Sequence, residues 1–156
     1  MIVTLSHSIE IDAPPESVYG FFLDIEENYT KWHPDHVVFR WIEGGSLAKG
    51  AVAYSEQYIH GKLHRLKARF TKVVPYREIE FSWVNPLIRF FAPRNTWVFE
   101  PAGGGCRFTA EGDLRLGWIS SRMGRVKQRL EEGRRHIEEE GENLKRLVEA
   151  GVAPSP

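Results

Sequence analysis

The opening segment of the chain alternates. Val3, Leu5, His7, Ile9 and Ile11 fall on one face, and Thr4, Ser6, Ser8 and Glu10 on the other. Period two is the signature of a strand with one buried side. Asp12-Ala13-Pro14-Pro15-Glu16 stops that strand and opens a helix, because proline is tolerated in the first helical turn and an acidic residue there meets the helix dipole. Val18, Phe21, Phe22 and Ile25 give this helix its apolar side, and Glu26 to Asp35 reads as a second helical turn or an aromatic loop. Six further strands are expected over 36–43, 51–60, 63–74, 79–84, 95–100 and 106–112, separated by glycine and proline turn signals. Two of them alternate cleanly: Leu66, Ala68 and Phe70 oppose Arg65, Lys67 and Arg69, and Cys106, Phe108 and Ala110 oppose Arg107, Thr109 and Glu111. From Trp118 to about Ala150 the period changes, and Val126, Leu130, Gly133, Ile137, Glu140, Leu144 and Val148 form one helical stripe.

An antiparallel sheet with one apolar face needs a cover, and the long C-terminal helix is the element large enough to supply it. The expected fold class is α+β, with a curved antiparallel sheet gripping that helix around an internal cavity. Residues 1–150 form a single domain and 151–156 a loose tail. With 21 basic and 21 acidic residues the formal charge is zero, which argues against a nucleic-acid partner. One cysteine, Cys106, excludes an intramolecular disulfide and a cysteine-based zinc module. No apolar run has the length of a membrane span and no secretory leader is expected, so the expected setting is the cytoplasm. The expected partner is a small hydrophobic or aromatic molecule, and the protein partner considered is a second copy in a homodimer.

The helical stripe holds the first candidate chemistry. His136 and Glu140 lie four residues apart, one above the other, on a face shared with Gly133, Ile137 and Leu144. A carboxylate on an inward stripe is costly unless it is paired or bound to a cation. Imidazole and carboxylate one turn apart form half of a metal site. The other half would come from Trp32-His33-Pro34-Asp35-His36, which carries two histidines at the start of the meander, and from Glu56, within Tyr54-Ser55-Glu56-Gln57-Tyr58. The direction of Glu56 depends on the next hairpin. A Gly61-Lys62 loop sets it opposite Lys67 on the wet face, and a His60-Gly61-Lys62 loop sets it opposite Leu66 in the cavity. His60 and His64 read as turn or rim residues, and His7 as a plain strand residue.

Ile9 to Tyr19, with its Asp12-Ala13-Pro14-Pro15-Glu16 centre, resembles the opening of the START-like, helix-grip superfamily, also called the polyketide cyclase or Bet v 1-like group. The element order extends that resemblance over essentially the whole chain. It implies a deep apolar cavity, and it leaves function open among lipid binding, polyketide cyclisation and hydrolysis. A narrower resemblance joins His33, Glu56 and the His136-x-x-x-Glu140 spacing to the zinc-dependent diacetylphloroglucinol and phloretin hydrolases. It implies His33, Glu56, His136 and Glu140 as ligands of zinc, with iron or manganese as alternatives, and a substrate-contacting role near His36. The chain departs from that group, because it lacks the extra N-terminal region and because Arg77 to Gly112 contains no histidine.

The expected activity is a metal-dependent hydrolase of a small aromatic or acylated ketone, with His36 and Glu56 as acid and base. Trp32, Tyr54, Tyr58, Trp83 and Trp97 would clamp the substrate, and the apolar loop from Pro86 to Pro93 would act as a lid. The alternatives are a non-catalytic carrier of a hydrophobic ligand and a metal-free cyclase or dehydratase using His36 or His60 as base.

Overall fold

The computed structural model describes residues 1–117 and 124–151. The expected helix start at Trp118 and the tail beyond Gly151 lie outside the described residues. The described residues form seven strands: β1 (Ile2–Ile11), β2 (His36–Glu43), β3 (Val52–Ile59), β4 (Lys62–Val74), β5 (Glu78–Trp83), β6 (Arg94–Ala102) and β7 (Gly105–Arg115). They form one antiparallel sheet in the order β1-β7-β6-β5-β4-β3-β2. Helices α1 (Pro15–Leu23) and α2 (Ile25–Trp32) follow β1, α3 (Pro86–Phe91) sits between β5 and β6, and α4 (Gly124–Glu149) closes the domain. The Pro86–Pro93 segment is thus a short helix for most of its length. Asn85 caps it, its Oδ1 accepting from the backbone N–H of Leu87 at 2.9 Å and of Ile88 at 3.2 Å.

The alternation read from the sequence sets the core. Leu66, Ala68 and Phe70 of β4 and Cys106, Phe108 and Ala110 of β7 are buried, while the residues between them face solvent or lie half-buried. Phe21 and Phe22 of α1 meet Trp32 of α2 edge-on, and Phe22 stacks on Trp97 with ring centroids 4.5 Å apart. The helical stripe also holds, with Leu144 and Val148 buried in this core.

Helix α4 lies against β1. Ideal Cβ atoms on Gly133 and Gly141 would come within 3.1 Å of the Leu5 and His7 side chains, so both glycines allow a close approach of helix to strand. Polar links fix the far end of the helix, where Glu149 accepts from the Asp12 backbone N–H at 2.8 Å and Lys145 donates to the Glu10 carbonyl at 2.8 Å. At this same end of β1, Gly105 begins β7 directly beneath the strand's last residue. A Cβ there would lie 2.3 Å from the Ile11 carbonyl oxygen. Gly105→Ala is therefore expected to lower stability by about 1–3 kcal/mol. Urea denaturation reads this directly, and an unchanged midpoint would refute the close β1–β7 approach.

Candidate functional site

Helix α2 ends at Trp32, and the short turn to β2 carries His33, Asp35 and His36. Two reciprocal hydrogen bonds tie this turn to α4. The Trp32 indole N–H donates to the Glu140 carbonyl at 2.9 Å, and the Asn143 amide donates to the Trp32 carbonyl at 3.0 Å. A β-bulge between His36 and Val38 then sets the direction of His36. Strict alternation would put His36 on the face opposite Phe39 and Trp41. With Val37 as the extra residue, all three side chains point inward.

Three imidazoles and three carboxylates converge here. Glu140 Oε2 lies 2.9 Å from His36 Nε2 and 3.4 Å from His136 Nε2. His36 Nδ1 donates to the Tyr29 carbonyl at 2.9 Å, and its ring stacks on the Tyr29 ring at 4.0 Å. That donation leaves Nε2 facing a carboxylate oxygen, so a proton or a cation must lie between them. His33 is held differently. Its Nδ1 accepts from the Asp35 backbone N–H at 3.0 Å, so Nε2 carries the hydrogen and donates to Glu139 Oε2 at 3.2 Å. The His33 and His136 rings are 4.3 Å apart, and Asp35 Oδ2 lies 3.9 Å from His136 Nδ1.

These neighbours shift the titrations. Burial alone would raise the Glu140 pKa, but hydrogen bonds and charge from His136 and His36 outweigh it and lower the value to about 2. Burial pushes His136 down, and the hydrogen bond and charge of Glu140 outweigh that and raise its pKa. His33 is lowered, by burial first and by His136 second. Burial and the Glu140 charge push the Tyr29 hydroxyl up.

The cluster lines a two-part cavity. An inner chamber of about 180 Å³ is walled by Tyr29, Trp32, Phe81, Trp83 and Trp97, with His36, His136 and Glu140 on its helical side. It opens past Gln57, Asn95 and Ile137 into an outer groove of about 820 Å³. The groove runs between the β3–β4 hairpin, α3 and the first half of α4, and Tyr58, Phe91 and Arg129 lie on its rim. His60, at the hairpin tip, contacts Glu132 of α4 through Nδ1 and Oε2 across this groove.

The structure therefore brings together His33, His36, His136 and Glu140, but not Glu56. The β3–β4 loop is His60-Gly61, with Ile59 opposite Lys62, so Glu56 pairs across from Arg65. Neither expected register occurs, and the observed one puts Glu56 on the face away from the cavity. There Glu56 accepts from the Tyr54 hydroxyl at 2.5 Å and lies 3.9 Å from Arg65. Tyr54 shares that face, with the Arg40 guanidinium 4.7 Å from its ring centroid, so it does not line the cavity either. The expected roles of Glu56 as metal ligand and catalytic base, and of Tyr54 as ligand contact, are corrected on this ground. Trp32, Trp83 and Trp97 do line the inner chamber, and Tyr58 lines the outer groove. Sequence reasoning missed Tyr29, Gln57 and Asn95. Only Gln57 carried a signal, as the alternation partner of Ser55.

A family model described as polyketide cyclase/dehydrase and lipid transport matches residues 3–149. Among solved structures, the fold is similar to the Zhui aromatase/cyclase from Streptomyces sp. R1128, with 14% identity, a TM-score of 0.74, and 97% of this chain and 96% of that chain covered. It is similar to a norcoclaurine synthase point mutant from Thalictrum flavum, with 12% identity, a TM-score of 0.73, and 97% of each chain covered. It is also similar to a polyketide-cyclase-like protein from Corynebacterium glutamicum, with 18% identity, a TM-score of 0.66, and 97% and 94% of the two chains covered. At such identities the likeness is one of fold. No curated protein matches the chain.

The opposite shifts of the two histidines give a pH signature. His136, raised above its ordinary 6.5, stabilises the fold fully below that value and loses the contribution as pH rises through its folded value. His33, lowered from 6.5, contributes above that value and loses the contribution as pH falls through its own folded value. NMR titration of the imidazoles is expected to resolve His136 above His33, and the reverse order would overturn the assigned contacts.

Proposed function

Because the chain belongs to the polyketide cyclase/dehydrase and lipid transport family, we propose that it binds a small aromatic or polyketide-like ketone in the two-part cavity and moves protons on it with the His36–Glu140–His136 cluster. The observation that carries this reading is Glu140, an inward carboxylate facing two imidazoles at the wall of an aromatic chamber. The aromatic wall holds a flat ligand by apolar burial and edge contacts. A ketone in the chamber presents a C–H beside its carbonyl. His136 or Glu140, as base, takes that proton and the electron pair moves into an enolate. The proton held between His36 and Glu140 is then given to the carbonyl oxygen. The enol carbon attacks a second carbonyl of the same ligand to close a ring, the enol O–H proton returning to His36 while the proton held by the base passes to the new alkoxide, and loss of that hydroxyl with a neighbouring hydrogen as water gives the conjugated ring. This is cyclase and dehydratase chemistry, and it needs no group beyond the chain and its ligand.

Deuterium uptake at the methyl group of acetophenone in D2O tests the proton step. Glu140→Gln is expected to slow protein-catalysed exchange by about 100-fold or more, with anilinonaphthalene sulfonate still bound within about twofold of wild type. Binding of the dye with no exchange above buffer by the wild type would leave a carrier of apolar molecules and remove the catalytic reading.

A second reading has its own support. His36 Nε2, one nitrogen of His136 and a carboxylate oxygen of Glu140 lie within 4.8 Å of one another, and His36 Nε2 requires a proton or a cation in front of it. Two imidazoles and a carboxylate suit zinc, with iron or manganese as alternatives. Those three residues would hold the ion, and His33 would support them from beside His136. The ion would supply Lewis acidity toward a ligand carbonyl, and the hydrolysis of acylated ketones expected from the narrower resemblance rests on it. Elemental analysis after zinc loading and dialysis is expected to show about one bound ion in the wild type and none in His36→Ala or His136→Ala. A wild type that retains no metal removes this reading and leaves the proton-transfer one standing.

A further inference from the structure

Helix α3 differs from every other element in burying none of its residues. Leu87, Phe90 and Phe91 are 68%, 54% and 52% exposed. Three large exposed apolar side chains within six consecutive residues make a contiguous patch, and such a patch, unlike single exposed apolar residues, marks a contact surface. The patch is held rather than loose. Asn85 caps the helix, Arg89 reaches the carbonyls of Trp83 and Val84 at 3.5 and 3.4 Å, and Arg115 donates to the Phe90 carbonyl at 3.0 Å. The Arg115 guanidinium also lies 4.6 Å from the Phe90 ring centroid.

The charge around the patch is one-signed. Arg89 and Arg115 beside it, and Arg129 across the groove, have no carboxylate within ion-pair distance among the described residues. The nearby acids are already used: Asp113 by Arg94 at 3.2 Å, and Glu132 by His60. A second copy docked on this patch by a twofold axis would bring these arginines against their own equivalents, which argues against self-association. An exposed apolar patch flanked by arginines that form no ion pair among the described residues matches an interface that is apolar inside and anionic at its surface.

We propose that α3 docks the protein on an anionic lipid bilayer, with Leu87, Phe90 and Phe91 entering the acyl boundary and Arg89 and Arg115 meeting the headgroup phosphates. Ile88 and Phe91 also line the outer groove, so the docked face is the mouth of the cavity. An apolar ligand then passes between bilayer and cavity without crossing bulk water. This inference uses none of the cluster residues, so it stands or falls independently of the proton-transfer reading.

Vesicle flotation of the full chain tests it. The wild type is expected to float with phosphatidylcholine vesicles containing phosphatidylglycerol, and about tenfold more weakly with pure phosphatidylcholine or at high salt. Leu87→Ser/Phe90→Ser/Phe91→Ser is expected to lose at least about tenfold in partitioning. Its thermal midpoint should be retained, because no residue of α3 is buried. Arg89→Gln/Arg115→Gln is expected to lose the preference for anionic vesicles while keeping residual binding. The proposal is overturned if the wild type stays with the aqueous phase, if the triple variant floats as well as wild type, or if sedimentation shows a dimer that the triple variant dissolves.

Discussion

The site depends on one pair of hydrogen bonds between distant parts of the chain. Trp32 donates its indole N–H to the backbone of α4, and Asn143 on α4 returns a bond to the Trp32 carbonyl. Both ends of this clamp are embedded in packing. Trp32 is enclosed by Phe21, Phe22 and Trp97, so its ring cannot turn without opening the aromatic core. The carbonyl it reaches belongs to Glu140 itself. One contact therefore sets the height and rotation of α4 against the α2–β2 turn, and with them the distances among His33, His36, His136 and Glu140. Core packing and site geometry are the same set of constraints here.

That arrangement explains how an acidic side chain persists on an otherwise apolar helical stripe. Removing a carboxylate from water is costly, and burial by itself pushes Glu140 toward its neutral form. Two imidazoles on different elements reverse the outcome, one from the same helix a turn away and one from the bulged start of β2. In a site walled by Tyr29, Trp83 and Trp97, little solvent screens these groups, so each exerts a strong pull on the protons of the others.

Much of this was legible before any coordinates. Strand alternation in β1, β4 and β7 gave the buried face of the sheet, and the three-four spacing on α4 put His136 and Glu140 on its inner side, because both patterns report burial over many residues at once. What stayed hidden turned on single-residue events. Whether His33 or His36 faces Glu140 is decided by one bulge residue, Val37, and by a backbone N–H that occupies His33 Nδ1. Whether Glu56 faces inward is decided by the hairpin loop, His60-Gly61, which starts one residue before Gly61-Lys62 and is one residue shorter than His60-Gly61-Lys62, and where both residues adopt positive φ. Periodicity is blind to a shift of one, and a shift of one turns a strand over. Helix α3 was hidden for a different reason, since a run of apolar residues between prolines looks the same as a loop, a lid or a surface helix.

The two glycines on α4 have a geometric consequence for the cavity. They bring the helix backbone down onto β1 at one margin of the sheet, while toward β3 and β4 it is met by side chains alone, in the His60–Glu132 contact at the hairpin tip. The space between helix and sheet is thus a wedge, narrow above β1 and wide where the aromatic chamber lies. The aperture of a wedge is governed at its thin end. Side chains larger than hydrogen at positions 133 and 141 would jack that end open and retune the capacity of a chamber whose aromatic wall they never touch.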